Sequence, residues 1–383
     1  MCGGVVVRGE YAISDESVLR MSECKTRDGF TKDDQVGRRP RLARTLHRVG
    51  ALPWVGRLRA ALRGDLRILA YHRVLDSVEP EGFRFDLDLI SASAEAFRRQ
   101  LAVVKRRCAP MRFDELLDSI ERGRPLPRCA TLITFDDGYD DNYRIAFPLL
   151  REAGLSAMFF VSTGHLDSGR PFGYDWLVHM LCTSDAERLV APEIGIDQPL
   201  PGELAARRAL GRVVLDRIKL LDAASQQALI DRLQRDWRMP DAAGHADCRP
   251  LSWAQVREMH AAGMEIGGHG VDHRMLAKMP AQAMREEIAV SFAALTRELG
   301  APPLAMSYPV GGSDAFDDAV ATAVRDTGFK LACSYQSGAE SLRAATRYGM
   351  LRLPVERGMC DAWFEAMLSW PEAFCYPTRS RQG

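Results

Sequence analysis

Several features that define whole classes of protein are missing from this 383-residue sequence. Its nine cysteines include no C-x-x-C pair, which argues against a zinc ribbon and against a thiol redox motif. Lys plus Arg and Asp plus Glu both number 51, so the net charge does not indicate a nucleic-acid partner. No charged-then-apolar signal segment opens the sequence, and no apolar run is long enough to span a bilayer. Because the scattered cysteines suit free thiols, we expect a cytoplasmic protein.

Residues 36–64 form a basic segment that contains no aspartate or glutamate. Apolar side chains alternate with its arginines, a pattern typical of an amphipathic helix on an anionic membrane surface. The alternative is a helix that packs on the domain with its arginines in solvent, and it is favoured because Gly50 and Pro53 interrupt the pattern. Both interpretations stay open from the sequence, and the first predicts a membrane-peripheral protein. The arginines are Arg38, Arg39, Arg41, Arg44, Arg48, Arg57, Arg59 and Arg63.

Short apolar strands alternate with amphipathic helices over most of the chain. This alternation predicts the α/β class with a largely parallel sheet. Since no G-x-G-x-x-G follows an early strand, we favour a distorted (β/α)7-type barrel over a doubly wound sheet. In such barrels the chemistry lies at the carboxyl ends of the strands. The predicted strands cover residues 66–71, 130–135, 156–161, 264–268, 304–308, 329–334 and 350–355.

The pattern of apolar and charged residues changes between about residues 172 and 246. Strand signals vanish there, and apolar residues recur at helical spacing, which predicts a helical insertion between barrel strands. We therefore divide the chain into three parts. Residues 1–65 are an N-terminal extension that we expect to be partly disordered, residues 66–360 are the barrel domain, and residues 361–383 are a C-terminal tail.

Two adjacent carboxylates, Asp136 and Asp137, follow the apolar strand at 130–135 in the string TFDDG. Charged carboxylates at the end of a buried strand are costly unless a positive charge lies beside them, and a metal ion would supply that charge. Gly138 would allow the sharp turn that directs both side chains. The alternative is a pair of N-cap residues for the following helix. From these residues alone, the two interpretations are equal.

Histidines follow two other predicted strands. His269 and His273 lie in GGHGVDH, where H-x-x-x-H spacing on one helical turn would bring both imidazoles to one ion. Two histidines and one carboxylate form a common catalytic metal set that leaves a position for water. His72, which follows the strand at 66–71, is by itself more typical of a structural residue.

Together these motifs resemble the polysaccharide deacetylases of the NodB-homology type, carbohydrate esterase family four. The resemblance rests on TFDDG at 134–138, on the strand followed by HGVDH at 269–273, and on YPVGG at 308–312 after a later strand. ILAYHRV at 68–74 is similar to members from exopolysaccharide pathways. The matching motifs span residues 66–358, which is most of the chain.

The resemblance implies a role for each matching residue. Asp137, His269 and His273 would bind a divalent metal ion, with zinc preferred for this ligand set and cobalt, nickel or manganese as alternatives. Asp136 would be the general base that activates water, and His72 the general acid, since no histidine follows His273. The turn Tyr308, Pro309, Val310 and Gly311 would line the sugar-binding groove.

The sequence departs from the family pattern at the arginine that orients the base. MSYP at 306–309 lacks it; Arg352, on the last strand, is the candidate for that charge and is counted among the substrate-binding residues. The resemblance implies a metal-dependent hydrolase that removes N-acetyl groups from sugar units of a polysaccharide or its lipid-linked precursor. Two alternatives are a metal-retaining glycan-binding homologue without activity and a small-molecule C–N amidohydrolase. The expected partner is an N-acetylated glycan.

Overall fold

The computed structural model describes residues 37–77, 79–243, 245–340 and 347–376. The disorder expected in residues 1–36 therefore lies outside the described residues. The described residues contain twelve strands: β1 (Leu66–Tyr71), β2 (Arg73–Leu75), β3 (Ile90–Ser93), β4 (Ala109–Pro110), β5 (Ala130–Phe135), β6 (Met158–Val161), β7 (Arg188–Ala191), β8 (Ile196–Pro199), β9 (Glu265–Gly268), β10 (Ala305–Ser307), β11 (Leu331–Ser337) and β12 (Met350–Pro354).

Seven parallel strands close into a barrel in the order β1-β12-β11-β10-β9-β6-β5, and β5 pairs with β1 to complete the ring. The closing register runs from Leu66 beside Ala130 to Tyr71 beside Phe135. Every residue of β1 and β5 is buried, as expected for parallel strands that are covered on both faces. The predicted (β/α)7-type barrel is confirmed, and all seven predicted strands are present.

Fourteen α-helices accompany the strands in the described part of the chain. They are α1 (Arg38–Arg48), α2 (Leu52–Leu62), α3 (Ala94–Arg107), α4 (Phe113–Glu121), α5 (Phe147–Ala153), α6 (Thr163–Ser168), α7 (Gly173–Thr183), α8 (Leu204–Ile218), α9 (Ala223–Asp236), α10 (Trp253–Ala261), α11 (Ala281–Leu299), α12 (Asp318–Thr327), α13 (Asp361–Ser369) and α14 (Pro371–Phe374). None of these helices combines the length and the apolar character needed to cross a membrane.

Local sequence signals set several helix ends. The Ser93 side chain accepts a hydrogen bond from the backbone N–H of Ala96 at the start of α3. Gly154 ends α5 with φ of 64°, a left-handed conformation that glycine adopts without strain. A π-helical turn at Asn142–Ala146 precedes α5, so the segment after TFDDG is helical throughout.

The barrel strands separate two apolar layers. Alternate residues such as Ile68, Leu132 and Phe160 pack together with Phe113 and Leu116 of α4 where the strands begin. The intervening residues of the same strands pack against the outer helices in a larger cluster. Because the amino-terminal end is filled in this way, the open end of the barrel is the carboxyl end, where the polar residues lie.

The insertion at 172–246 has a hydrophobic core of its own, built largely from α7, α8 and α9. It also contains an antiparallel hairpin of β7 and β8, which the sequence analysis missed. β7 alternates exposed and buried residues over four positions only, a signal too short to distinguish from a helical one. The division of the chain into domains stays a prediction.

The basic segment consists of two helices, α1 and α2, which are separated at Gly50 (φ 66°). Both helices pack on α13, which lies within the predicted C-terminal tail and is largely buried. Ala43 and Leu52 are fully buried on their inner face. The packed helix of the second interpretation is therefore present, although the outer face carries exposed apolar side chains.

Candidate active site

Asp137, His269 and His273 converge at the carboxyl end of the barrel. The Oδ1 atom of Asp137 lies 3.3 Å from Nε2 of His269 and 3.2 Å from Nε2 of His273. One ligand atom from each residue lies within 4.8 Å of the others. Asp137 and His269 are both 1% exposed. The three side chains that the sequence analysis selected as metal ligands are therefore in one place.

The donor atoms of this cluster fit a divalent cation. Asp137 Oδ1 is buried and accepts no hydrogen bond from the described residues. The Nδ1 atom of His269 lies 2.8 Å from the carbonyl oxygen of Ser307, so Nδ1 carries a proton and, in the neutral ring, Nε2 is the atom available to a metal ion. Burial opposes ionisation of Asp137, but its close contacts with His269 and His273 outweigh burial and hold its pKa well below the usual range. These observations favour an anionic carboxylate with two imidazole Nε2 atoms directed at the same oxygen.

The histidine loop differs from the expectation of one helical turn. Residues 269–275 contain no regular secondary structure, and Gly270 and His273 have φ of 76° and 56°. The Oε1 atom of Glu287 on α11 accepts hydrogen bonds from the backbone N–H groups of Val271 (2.9 Å) and Asp272 (2.7 Å). A buried carboxylate, rather than helix geometry, thus fixes the loop that brings the imidazoles together.

The turn after β5 has a backbone that directs its two carboxylates to different sides. Asp137 has φ of 73°, which is uncommon for a residue other than glycine. Gly138 has φ of 87°, and a Cβ atom at this position would lie 2.9 Å from Cγ1 of Val161. Glycine is therefore required by both conformation and space, as the sequence analysis expected.

Asp136 is paired with Arg352 rather than with the metal-ligand cluster. Arg352 Nη1 donates to Oδ1 at 2.8 Å and Nη2 donates to Oδ2 at 2.6 Å, while Ser307 Oγ lies 3.3 Å from Oδ2. Burial raises the pKa of Asp136, but the charge and hydrogen bonds of Arg352 outweigh this effect, and the pKa lies below its usual range. The carboxylate is therefore ionised and fixed in orientation.

The guanidinium of Arg352 donates its hydrogen bonds to groups inside the protein. It also donates to the carbonyl oxygen of Ser334 and to the hydroxyl oxygens of Thr134 and Ser307. The side chain is fully buried, and the residues that line the cavity do not include it. Of its two predicted roles, the geometry fits the charge beside the base and leaves no group for contact with a substrate.

A large cavity of about 2290 Å³ opens over this cluster. His72, Asp136, Asp137 and the two metal-ligand histidines line it. The ring of His72 lies 5.2 Å from the ring of Tyr335, centroid to centroid. The predicted metal ligands, the candidate base Asp136 and the candidate acid His72 therefore face the same cavity.

The turn at 308–311 contributes less than the sequence predicted. Tyr308 is buried, its ring stacks on Phe316 at 4.2 Å, and its hydroxyl donates to the carbonyl oxygen of Tyr348. Pro309 is buried as well, whereas Val310 is 37% exposed and lines the cavity. Tyr308 thus supports the turn from the core, and its side chain does not face the groove.

The sequence analysis missed the contribution of the insertion to the site. The hydroxyl of Tyr174 donates to Oδ2 of Asp137 at 3.1 Å. The rings of Phe172 and Tyr174 lie 5.5 and 5.3 Å from the ring of His273. The aromatic string FGYDW at 172–176 is the sequence signal that could have identified this contact.

Comparison with known protein families identifies the chain. A family model described as "Polysaccharide deacetylase" matches residues 123–332, which is more than half of the sequence. The chain belongs to this family. The resemblance found in the sequence is thereby confirmed, and the matched range contains both TFDDG and HGVDH.

Individual relatives are distant. YxkH of Bacillus subtilis (strain 168), which carries the name of a polysaccharide deacetylase, is 22% identical over 64% of this chain and 58% of its own. Poly-beta-1,6-N-acetyl-D-glucosamine N-deacetylase of Escherichia coli (strain K12) is 30% identical over 84 residues, which are 12% of that protein. The chain thus matches less than two thirds of the length of these curated relatives.

Solved structures share the fold. The deacetylase PplD of Streptococcus pyogenes in complex with acetate superposes with a TM-score of 0.53 at 18% identity, over 82% of this chain and 99% of that one. IcaB of Ammonifex degensii gives a TM-score of 0.51 at 20% identity, over 80% and 97% of the two chains. At these identities the likeness concerns the architecture alone.

Proposed function

We propose that this polysaccharide deacetylase is metal-dependent and removes N-acetyl groups from the sugar units of a glycan. The observation that carries the proposal is the buried Oδ1 of Asp137, which accepts no hydrogen bond from the described residues and lies between the Nε2 atoms of His269 and His273. Burying a charged carboxylate oxygen without a hydrogen-bond donor costs free energy, and a bound cation offsets that cost. With two imidazoles and one carboxylate, zinc is the preferred ion.

Amide hydrolysis needs an activated water and a stabilised oxyanion. A divalent cation bound by Asp137, His269 and His273 would supply Lewis acidity, which lowers the pKa of water and polarises a carbonyl oxygen. Asp136 would accept the proton of the attacking water as the bond to the acetyl carbon forms. Its position against Arg352 and Ser307 supports this role, because the carboxylate is kept ionised without a direct place in the ligand set.

The breaking C–N bond leaves an amine that must be protonated. His72 lines the same cavity as Asp136 and is the candidate donor. Proton transfer to the amine nitrogen would accompany C–N cleavage, so that acetate and a free amino sugar are the products. Correctly placed acids and bases contribute on the order of 10²–10⁴-fold each.

The class of substrate follows from the size and lining of the cavity. A space of about 2290 Å³ exceeds what a small amide requires and suits several sugar units. Phe172 and Tyr174 present aromatic rings at its edge. The Escherichia coli relative is named for a poly-N-acetylglucosamine substrate, which supports a glycan or its lipid-linked precursor over a small molecule.

Acetate release separates the proposal from its alternatives. The full chain, loaded with zinc, should release acetate from an N-acetylglucosamine oligomer, and chelation should stop the reaction until zinc is restored. Binding of the oligomer without acetate release would instead support the glycan-binding alternative. Release from a simple amide such as acetamide, with none from the oligomer, would support the amidohydrolase.

We also propose that the outer face of α1 and α2 contacts an anionic membrane surface. Trp54, Leu58 and Leu62 recur every four residues along α2 and are 70%, 65% and 76% exposed. Val49 beside them is 68% exposed. Exposed apolar side chains at this density mark an interaction surface.

The positive charge of α1 and α2 indicates that their outer face would contact an anionic surface. The side chains of four exposed arginines of these helices form neither an ion pair nor a hydrogen bond with the described residues, and Arg57 lies over the Trp54 ring at 5.6 Å. Cations interleaved with an aromatic and leucines suit anionic headgroups above acyl chains. The four are Arg38, Arg41, Arg48 and Arg57.

Vesicle co-sedimentation tests this contact with the full chain. Vesicles of phosphatidylglycerol and phosphatidylcholine should bind the protein, and the triple variant W54S/L58S/L62S should lose most of that binding. V213S/L220S is the matched control, since both residues are exposed apolar positions of the insertion. Equal binding by the triple variant, or by pure phosphatidylcholine vesicles, would refute the contact.

A further inference from the structure

Two cysteines at the closed end of the barrel lie close together. The Sγ atoms of Cys108 and Cys129 are 3.2 Å apart. The residues flank neighbouring parallel strands, because Ala109 of β4 pairs with Ala130 of β5 and its N–H donates to the carbonyl oxygen of Cys129. They are 21 positions apart in the sequence, so no C-x-x-C motif predicts that they lie together.

The backbone already satisfies the distance that a disulfide requires. Neighbouring strands are about 4.8 Å apart, which lies within the usual Cα–Cα range of ~4.4–6.8 Å for a disulfide. Cys129 has φ of 59°, a conformation that few residues other than glycine adopt. The two Sγ atoms, 3.2 Å apart, need to approach by roughly 1 Å to reach the length of a disulfide bond.

A buried arginine side chain lies near the same two cysteines. Arg67 on β1 is 0% exposed, and its Nη1 and Nη2 have no hydrogen-bond partner within the described residues, although Nη1 lies 3.2 Å from Oδ1 of Asp65. Arg67 lies beside Thr131, two residues after Cys129. The hydrogen bond between the two thiols and the charge of Arg67 outweigh burial and lower the pKa of the Cys129 thiol, which favours its thiolate.

We propose that Cys108 and Cys129 are a redox-sensitive pair that forms a reversible disulfide when the protein meets a peroxide. The Cys129 thiolate would attack one oxygen of hydrogen peroxide, the O–O bond would break, and hydroxide would leave, giving a sulfenic acid. The Cys108 sulfur would then attack the Cys129 sulfur, and its proton would leave with the displaced hydroxide as water. In total, two thiols are oxidised and one peroxide is reduced to two waters.

The disulfide would close a loop that contains α4. Phe113 and Leu116 of this helix fill the base of the barrel interior, so the bond would fasten the closed end of the barrel to β5. A cross-link over a loop of this length restricts the unfolded chain and raises thermal stability. The pair lies at the end of the barrel opposite Asp136 and Asp137, and the inference does not depend on the proposed function.

Peptide mapping of the full chain tests the pair directly. Reduced protein is exposed to hydrogen peroxide, alkylated with iodoacetamide under denaturing conditions and digested without reductant. A cross-linked peptide joining Cys108 to Cys129 is expected, and dithiothreitol should abolish it. Recovery of both residues as alkylated thiols, or as sulfinic acids without a cross-link, would overturn the proposal.

Single variants identify the attacking thiol. In C108S, dimedone should label a sulfenic acid at Cys129, because the resolving thiol is absent. In C129S, Cys108 should be labelled less at the same peroxide dose, and equal labelling there would contradict the assignment of Cys129 as the attacking thiol. C182S, which removes a buried thiol of the insertion, is the matched control and should keep the Cys108–Cys129 cross-link.

Discussion

Arg352 contacts both carboxylate oxygens of Asp136 through its two Nη groups, at 2.8 and 2.6 Å, in a fully buried bidentate pair. Pairs of this kind fix a carboxylate in direction as well as in charge. The arginine comes from the last strand of the barrel and the aspartate from the end of β5, so barrel closure assembles the pair. The predicted position of Arg352 beside Asp136 is thus present, and its role in place of the arginine missing from the MSYP string stays a prediction.

Removing this arginine should move the acid limb of the pH–rate profile. Loss of Arg352 removes the strongest effect that opposes burial, so the pKa of Asp136 should rise and the ionised base would become available only at higher pH. We expect Arg352→Gln to lower kcat/KM by about 10²-fold or more near neutral pH and to shift the acid limb upward. Arg352→Lys, which keeps the charge, should shift it less. An unmoved limb in a folded Arg352→Gln variant would contradict this account.

Glu287 should control the affinity of the histidine loop for its metal. Glu287→Leu removes the acceptor for the N–H groups of Val271 and Asp272, and we expect metal affinity to fall by roughly 10–100-fold. Glu287→Gln keeps a carbonyl acceptor, so its metal affinity should fall less. Glu286→Leu, at the exposed neighbouring position, is the control. Competition with a chelator measures the affinity, and equal values for Glu287→Leu and the control would exclude the role.

His72 should matter in proportion to the basicity of the leaving group. His72→Ala should reduce amide hydrolysis by about 10²–10⁴-fold with unchanged metal content. Release of 4-nitrophenolate from 4-nitrophenyl acetate should be nearly unaffected, since this leaving group needs no proton. His260→Ala, at an exposed position of α10, serves as the control. Loss of metal from His72→Ala would make His72 a ligand instead of an acid.

The insertion should lose stability in mild acid because of His179. Burial lowers the pKa of His179 from its ordinary value of 6.5 to about 4, and its ring stacks between Phe85 and Trp176. The unfolded state therefore binds more protons over this interval, so the stability contributed by neutral His179 is complete above 6.5 and is lost as the pH falls through 4.

His179→Phe should keep the stacking and remove this dependence. The drop in urea midpoint between pH ~7.5 and ~5 should be smaller in His179→Phe than in the parent protein. His260→Phe should behave like the parent. An equal drop in the parent and in His179→Phe would show that other groups account for the acid sensitivity.

Much of the fold was accessible from the sequence for a simple physical reason. Barrel strands covered on both faces read as short apolar runs, and all seven were located. Polar residues directly after such runs must lie at the carboxyl end of the barrel, which brings Asp137, His269 and His273 together without knowledge of any contact. Resemblance to a family then assigned the chemistry.

What the sequence did not predict depends on long-range contacts or on unusual backbone. Tyr174 reaches Asp137 from an insertion whose placement no local pattern specifies. The loop of His269 and His273 is set by positive φ angles and by Glu287, not by helical spacing. The pairing of Cys108 with Cys129 requires knowledge of which strands are neighbours. Such features become visible only when the chain is folded.

Paired metal analysis and acetate release test most directly whether one aspartate binds the metal while its neighbour transfers the proton. Asp136→Asn should retain one zinc per chain and lose turnover. Asp137→Ala should lose both zinc and turnover. Near-full acetate release by Asp136→Asn, or full zinc occupancy in Asp137→Ala, would contradict the account.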